Sequence, residues 1–238
     1  MALTVVLQDN FTRTQIDSNL TDSSKGLPQV GSVYTNPGYG GSFSAFTPRV
    51  SNAGLPVSEW VCYPSSGNGI PAALYNDALL GTEHHATWTQ YYNGAGSFGN
   101  AYVAAALRML TAEASFYYGH FFHDNTFYLG RYKAASVVNL GSFPRGGGLP
   151  AAGTGFAMEL VAKDEGADVR CELWVDGVKR IDVLDNSASK LTAPGRSGIF
   201  GYSASGANNG IDMDNLVISY QAGGGGGGAS RELLLGVG

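Results

Sequence analysis

The feature that most constrains the fold is an alternating stretch around Asp176-Gly177. Between residues 169 and 181, apolar and polar side chains largely alternate on both sides of this pair. Alternation with a period of two is typical of a strand with one buried face. Asp-Gly supplies the positive φ angles of a two-residue type I′ turn, whose twist matches that of paired strands. The stretch therefore predicts an antiparallel β-hairpin.

Short apolar runs separated by Gly, Pro or Asn continue along the chain. Residues 156–161 alternate in the same way, and the polar stretch 163–166 predicts a turn that joins them to the hairpin as a three-stranded meander. The other predicted strands are 3–8, 57–63, 86–92, 102–110, 115–123, 126–132, 136–140, 198–202 and 212–220. Their spacing is typical of a β-sandwich or jelly roll, and 238 residues fit one such domain.

Two segments are less regular. Residues 101–114 contain Ala, Leu, Met and Glu, which favour a helix that Asn100 could cap. Because the flanking segments alternate, we predict a strand there, with the helix as the alternative. Residues 31–54 place four aromatic side chains among Gly, Pro, Ser and Asn, which predicts a long loop or an edge hairpin.

Charge and composition exclude several classes of function. The net charge is −5 and Lys and Arg form no cluster, so neither nucleic acid nor an anionic membrane is an expected partner. The amino terminus lacks the basic residues and cleavage site of a signal peptide, and it resembles a first strand instead. Cys62 and Cys171 are too few for a disulfide framework or a zinc site. Buried thiols are expected, with one long-range disulfide as the alternative.

The sequence changes character after Tyr220. Gln221 and Ala222 lead into six consecutive glycines, 223–228, whose root-mean-square span as a flexible tether is about 13 Å. We therefore divide the chain into a sandwich domain (1–220), a glycine-rich linker (221–229) and a C-terminal docking peptide (230–238).

The docking peptide is apolar, and an apolar cluster gains nothing from exposure to water. It can fold back on its own domain or dock on a neighbouring chain. The candidate docking residues are Arg231, Leu233, Leu234, Leu235 and Val237.

Three segments together carry a resemblance to a known superfamily. They are the hairpin 172–177, the glycine-containing turn 195–201 and the closing strand 211–218, and the opening Asp9-Asn10-Phe11 adds to them. Residues 3–220 resemble the concanavalin A-like lectin/glucanase superfamily, especially its laminin-G-like members. The resemblance implies an all-β, two-sheet antiparallel sandwich of jelly-roll type with adjacent first and last strands. Members bind glycans, bind proteins or hydrolyse polysaccharides, so the fold alone does not determine function.

Catalysis finds no support in the sequence. Hydrolases of this fold carry two carboxylates on one strand, commonly as Glu-x-Asp-x-Glu, because an acid and a nucleophile must flank one glycosidic bond at about 5 Å. None of Glu113, Glu159 and Glu172 has an acid two positions later. The histidine pairs are His84-His85 and His120 with His123, and neither lies in the helical Glu-containing motif of a metalloprotease. The Gly-x-Ser-x-Gly motif of serine hydrolases does not occur in the sequence. We predict no catalytic residue and no enzyme.

Binding residues are easier to nominate. Aromatic rings can stack on sugars, and the candidates for glycan binding are Trp60, Trp88, Tyr91, Tyr92 and Asn93. Since adjacent tyrosines point to opposite faces of a strand, one of each pair is expected in the core. Calcium has weak candidates, and a hydrogen-bonded strand end is the alternative for them: Asp212, Asp214 and Asn215. No other cofactor is predicted.

Two hypotheses of function follow. The first is a non-enzymatic accessory protein of a virion, in the general style of a bacteriophage capsid-decoration or tail-associated protein. It would assemble in the host cytoplasm, be present as a homo-oligomer or in many copies, and dock its tail on a capsid or tail protein. The alternative is a stand-alone carbohydrate-binding, lectin-like module that binds cell-surface glycans. A polysaccharide hydrolase or lyase is the weakest alternative.

Overall fold

In the part of the chain that the structure describes, the regular elements are β-strands, as the hairpin and its neighbours predicted. The computed structural model describes residues 3–11, 18–19, 28–31, 49–51, 61–63, 70–92, 102–110, 113, 115–134, 136–203 and 211–221. Within these ranges no helix is long and apolar enough to cross a membrane. The strands are β1 (Thr4–Asp9), β2 (Ser18–Asn19), β3 (Arg49–Ser51), β4 (Val61–Tyr63), β5 (Ile70–Ala78), β6 (Glu83–Tyr92), β7 (Tyr102–Leu110), β8 (Ser115–Phe122), β9 (Thr126–Lys133), β10 (Ser136–Pro144), β11 (Thr154–Glu165), β12 (Asp168–Val175), β13 (Val178–Asp185), β14 (Arg196–Ser203) and β15 (Ile211–Gln221).

The long strands form two antiparallel sheets. The first sheet has the order β1-β15-β6-β11-β12-β13, and the second has the order β5-β14-β7-β8-β9-β10. One parallel bridge, between Ile211 and Tyr102, joins them. The first and last strands lie side by side, as the superfamily resemblance implied. The short strands β2, β3 and β4 pair with one another, and β4 reaches β15.

The two sheets pack face to face and enclose the core. Glycines mark their closest approach: a Cβ on Gly119 of β8 would lie 2.6 Å from Leu173 Cδ1 of β12. Similarly, the backbone of Gly141 in β10 lies against Ile181 of β13. The core between the sheets includes Leu107, Tyr117, Phe121, Leu129, Met158, Leu160 and Leu173. This arrangement confirms the predicted β-sandwich.

The hairpin and meander form where the sequence predicted them. Val175 pairs with Val178 across the turn, where Asp176 and Gly177 have φ angles of 51° and 74°. The strand predicted within residues 101–114 is confirmed over the described residues 102–110, and the helix alternative is wrong there. Because β7 lies between β14 and β8 and is buried from Tyr102 to Met109, pairing and burial override its intrinsic helix preference.

Among the long strands, β5 has no counterpart in the sequence prediction. β5 contains Pro71, three alanines, Asn76 and Asp77, which are all poor strand formers. It pairs with β14 alone among the described strands, and Pro is tolerated near the start of an edge strand. Cys171 is a fully buried free thiol, and burial raises its pKa. The thiol interpretation therefore holds for Cys171, and the disulfide alternative is wrong.

The least expected core residue is Arg108, which is completely buried at a φ of 59° in a bulge of β7. Its guanidinium connects three separate segments. It donates to His84 Nδ1 (3.1 Å), Asp164 Oδ1 (2.7 Å), Leu191 O (3.0 Å), Thr82 O (3.1 Å) and Ala162 O (3.4 Å). Burial and the neighbouring Arg108 charge lower the pKa of His84 to about 4, so at neutral pH its imidazole is uncharged and can accept.

A second buried network holds the segment after β13 against the second sheet. Asp185 accepts hydrogen bonds from Arg131 Nη1 and from the Tyr117 hydroxyl, the latter at 2.7 Å. The Leu191 N–H donates to the same Tyr117 oxygen at 2.9 Å. Burial acts to raise the pKa of Asp185, but the hydrogen bonds outweigh it and hold the pKa below its usual value. The segment 185–191 is thus held at both of its ends, at Asp185 by Arg131 and Tyr117 and at Leu191 by Tyr117.

We expect Arg108→Met to lower the free energy of unfolding by about 3–5 kcal/mol, because it leaves buried carbonyl groups without their donor. Urea denaturation measures the change. The control is Arg180→Met, since Arg180 is exposed on β13 and its guanidinium lies 4.8 Å from the centroid of the Phe143 ring. It should cost about 1 kcal/mol or less. Equal losses in the two variants would contradict the central role of Arg108.

A substitution at Gly195 tests how closely the backbone packs beside Arg108. Gly195 has a φ of 62°, and a Cβ there would lie 2.6 Å from the Arg108 carbonyl carbon. Gly166 has a similar φ of 65° but open space around it. Gly166→Ala therefore reports conformational strain alone, and Gly195→Ala should cost about 1–3 kcal/mol more because backbone atoms must move. Matched urea curves would decide, and a smaller effect at Gly195 would be inconsistent with this packing.

Candidate functional site

The outer surface of the first sheet carries polar and charged side chains in ordered rows. Alternation along β6 turns Trp88, Gln90 and Tyr92 into the core, so residues 83, 85, 87, 89 and 91 face outward. Register continues this surface over β15, β11, β12 and β13, and we call it the polar face. One row contains Val217, Thr87, Glu159, Trp174 and Lys179. The next contains Ser219, His85, Val161, Glu172 and Asp182.

Trp174 is the large aromatic ring of this face, and its orientation is fixed. Its indole Nε1 donates to Glu172 Oε2 at 2.9 Å. Lys179 Nζ lies 5.7 Å from the ring centroid, and it also contacts Asp182 at 2.6 Å and Glu172 at 3.4 Å. The ring is half-buried, so part of it remains accessible to a ligand.

A histidine between two carboxylates lies two strands from Trp174. His85 Nδ1 is 3.0 Å from Glu159 Oε1, and His85 Nε2 is 2.9 Å from Glu83 Oε1. Burial acts to lower the pKa of His85, but the hydrogen bonds and charges of Glu159 and Glu83 outweigh it, so the pKa is raised. The imidazole ring is buried, whereas the two carboxylates are partly exposed.

Tyr91 provides a second ring at one end of the polar face. A Cβ on the neighbouring Gly155 would lie 2.9 Å from Tyr91 Cε1 and 3.2 Å from Thr89 Cγ2. The absent side chain therefore leaves room for the tyrosine ring over the sheet. Thr87 and Ala157 are exposed between Tyr91 and Trp174. The face thus offers two rings separated by hydroxyl and carboxylate groups.

The structure separates the nominated aromatic residues. Trp88 and Tyr92 are each 3 % exposed, so their ring faces are covered. Trp88 donates to Gln90 Oε1 at 3.1 Å, and Tyr92 contacts Phe121 edge to face. Tyr91 is the member of its pair that faces outward, as strand alternation requires. The remaining nominated residues lie outside the described ranges: Trp60, Asn93, Arg231, Leu233, Leu234, Leu235 and Val237.

The sequence did not single out Trp174, His85 or Glu159 as site residues. The alternation around Asp176-Gly177 was a usable signal for Trp174, because it places residues 170, 172 and 174 on one face. His85 and Glu159 are 74 residues apart in the chain, and only strand register brings them together.

The weak calcium candidates are engaged within the protein. Asp212 is completely buried, and Asp214 is 4 % exposed. Asp214 accepts hydrogen bonds from Asn215 N–H at 2.7 Å and from Asn215 Nδ2 at 3.0 Å. For Asp214 and Asn215 these are the contacts of a hydrogen-bonded strand end. Among the residues that the structure describes, no group of three or more His, Cys, Asp or Glu could hold a metal ion.

The outer surface of the second sheet is aromatic instead. Its rings are Tyr102, Phe116, Tyr118, His120, Phe122, Tyr128, Tyr132 and Phe200. His120 stacks on Tyr102 with a centroid distance of 4.1 Å, and burial lowers the His120 pKa to about 3. Most of these rings are buried, and Phe122 and Tyr128 are partly exposed. This aromatic face therefore contributes mainly to stability, and the polar face is the better candidate site.

Comparison with known proteins identifies the fold. No protein-family model matches the chain, and no curated protein sequence is significantly similar to it. A solved structure described as an endo-acting O-glycanase of human gut microbiota has a TM-score of 0.51 at 10% identity, covering 92% of this chain and 100% of that chain. The likeness shows the fold alone.

Two further solved structures belong to carbohydrate-binding proteins. The carbohydrate-binding module CBM66 from Bacillus subtilis has a TM-score of 0.48 at 11% identity, covering 76% of this chain and 99% of that chain. The carbohydrate recognition domain of Emp46p, in its metal-free form, has a TM-score of 0.46 at 11% identity, covering 89% and 96% of the two chains.

Proposed function

We propose that this protein is a non-enzymatic carbohydrate-binding module that binds a glycan across its polar face. The observation that carries the proposal is the half-buried Trp174 ring, which Glu172 and Lys179 orient. The polar side chains around the ring can donate hydrogen bonds to sugar hydroxyl groups or accept hydrogen bonds from them. Apolar C–H faces of a sugar ring can stack on an indole, while its hydroxyl groups require fixed polar partners. The solved O-glycanase with the same fold acts on glycans, which accords with a glycan as the ligand and not with the absence of catalysis.

The placement of the two rings favours an extended ligand. Tyr91 lies on β6 and Trp174 on β12, two strand spacings apart, and their rows are separated by four residues along the strands. Standard strand geometry therefore puts them about 16 Å apart. Thr87, Thr89 and Glu159 lie between them, so an oligosaccharide could contact both rings and the polar groups together. A monosaccharide would reach only one ring.

Binding without hydrolysis is supported by the contacts of the two nearest carboxylates. Glu159 and Glu172 are diagonal neighbours on adjacent strands. One oxygen of Glu159 is already bound to His85, and the Glu172 oxygens contact Trp174 and Lys179. A glycosidase needs one carboxyl to deliver a proton and the other to act as a nucleophile or base. Carboxylates committed to these contacts are better suited to orienting a ligand.

A glycan array and polysaccharide pull-down with the full chain test the proposal. We expect Trp174→Ala and Tyr91→Ala each to weaken binding roughly tenfold, the effect of losing about 1.4 kcal/mol. Gly155→Ala should also weaken binding because it displaces the Tyr91 ring without removing a polar group. Tyr128→Ala, an aromatic change on the opposite sheet, is the matched control. Thermal melts of each variant establish that it is folded.

The outcomes separate the alternatives. If no array or polysaccharide binding is found for the folded chain, the proposal is wrong. If Tyr128→Ala abolishes binding while Trp174→Ala leaves it unchanged, the ligand binds the aromatic face instead. If the chain releases reducing ends from the bound polysaccharide, the non-enzymatic part of the proposal is overturned.

Attachment to an assembled particle is a separate hypothesis. Its support is the apolar peptide 230–238, which follows six glycines in the sequence. The similar structures named above include no capsid or tail protein. Under this hypothesis, deletion of residues 223–238 should abolish incorporation into a virion and leave glycan binding unchanged. Unchanged incorporation would contradict it.

A further inference from the structure

The polar face contains a histidine whose two ring nitrogens both face carboxylates. An ionised carboxylate accepts hydrogen bonds and donates none, and a neutral imidazole has only one N–H to donate. The contacts of His85 with Glu159 (3.0 Å) and Glu83 (2.9 Å) are therefore both satisfied when the ring carries two protons. With both carboxylates ionised, an imidazolium is the form of the ring that satisfies this geometry.

We propose that His85, as an imidazolium held between Glu83 and Glu159, is the positioning residue of the polar face and makes glycan binding there dependent on pH. This inference rests on the proposed function. His85 acts through Glu159, which lies directly opposite Trp174 on the adjacent strand. Directly opposite residues have Cβ atoms about 5 Å apart, so the orientation of the Glu159 carboxylate affects a ligand stacked on Trp174.

The groups around His85 favour its charged form. Glu83 lies on its own strand, and β11 contributes Glu159 and, one row further, Lys163. The neighbouring positions of β15 are the neutral Val217, Ser219 and Gln221. His84 points to the opposite face, toward Arg108. Two carboxylates thus lie within hydrogen-bonding distance, whereas the lysine contacts Glu172.

The direction of the pH dependence follows from the raised pKa of His85. Below the ordinary histidine value of 6.5 the ring is charged in the folded protein and both hydrogen bonds form. As pH rises through the folded-state pKa, one proton is lost and a ring nitrogen then faces a carboxylate without a donor. One of the two hydrogen bonds is then lost, together with the charge attraction between the ring and both carboxylates, so the Glu159 carboxylate is held less firmly. Binding should therefore weaken with rising pH.

The other histidines allow a clean measurement. Burial first, and then the Arg108 charge, lower the pKa of His84 to about 4, while burial lowers that of His120 to about 3. Neither ring gains a proton near neutral pH. His123 is exposed directly after β8 of the second sheet, whereas the polar face belongs to the first sheet, and His123→Gln serves as the matched control.

The first experiment is an NMR titration of the imidazole resonances of the full chain, with no ligand present. We expect the resonance lost in His85→Gln to titrate above 6.5, and the Trp174 indole N–H resonance to shift over the same range. A His85 ring that titrates below 6.5, or an indole signal that ignores its titration, would overturn the positioning role. Either result is independent of whether a glycan binds.

The second experiment measures the affinity for the glycan selected on the array between about pH 5.5 and pH 8.5, the range in which histidine charge changes. Wild type and His123→Gln should lose roughly tenfold in affinity as pH rises, a typical coupling between two sites. His85→Gln should bind with the weaker, high-pH affinity throughout. A pH profile that His85→Gln leaves unchanged would refute the inference while leaving the proposed function intact.

Discussion

The buried guanidinium of Arg108 is the interaction on which the arrangement of the sandwich depends. A completely buried charge must have its donors satisfied, and here β7 of the second sheet supplies donors to segments that belong to the first sheet and its connections. Arg108 also has a positive φ. Gly195 packs against the Arg108 backbone, where a side chain would not fit. Strand β7, the start of β6 and the end of β11 are consequently fixed relative to one another, and the polar face is built on the last two.

The two outer surfaces of the sandwich differ in chemistry because their strands differ in sequence. β8 has aromatic side chains at most positions, and both of its faces are buried. β11 and β12 alternate, so their inner face is apolar and their outer face carries carboxylates, basic groups and Trp174. The ion pairs of the polar face are partly exposed, and pairs of this kind contribute little to stability. They orient side chains instead, which is what a binding surface requires.

The fold was predictable from local patterns in the sequence. The candidate site was not, because it forms where strands that are distant in the chain pair with one another. The hairpin at Asp176-Gly177 follows from neighbouring residues, and so does the meander before it. β5 was missed because Pro71 and its alanines are acceptable only where a partner strand is already formed. The division of Tyr91 from Tyr92 was predictable from strand alternation. The contact between His85 and Glu159 was not predictable, since it arises from the register of β6 against β11.

The meander β11-β12-β13 supplies most of the polar face from one continuous stretch, residues 154–185. Its period-two pattern separates the positions that build the core from those that form the polar face. Under the proposed function, replacements at residues 159, 172, 174 and 179 would alter glycan binding and leave the inward set of side chains unchanged. Such a surface can diversify among relatives, or in a designed library, while the scaffold beneath it stays constant.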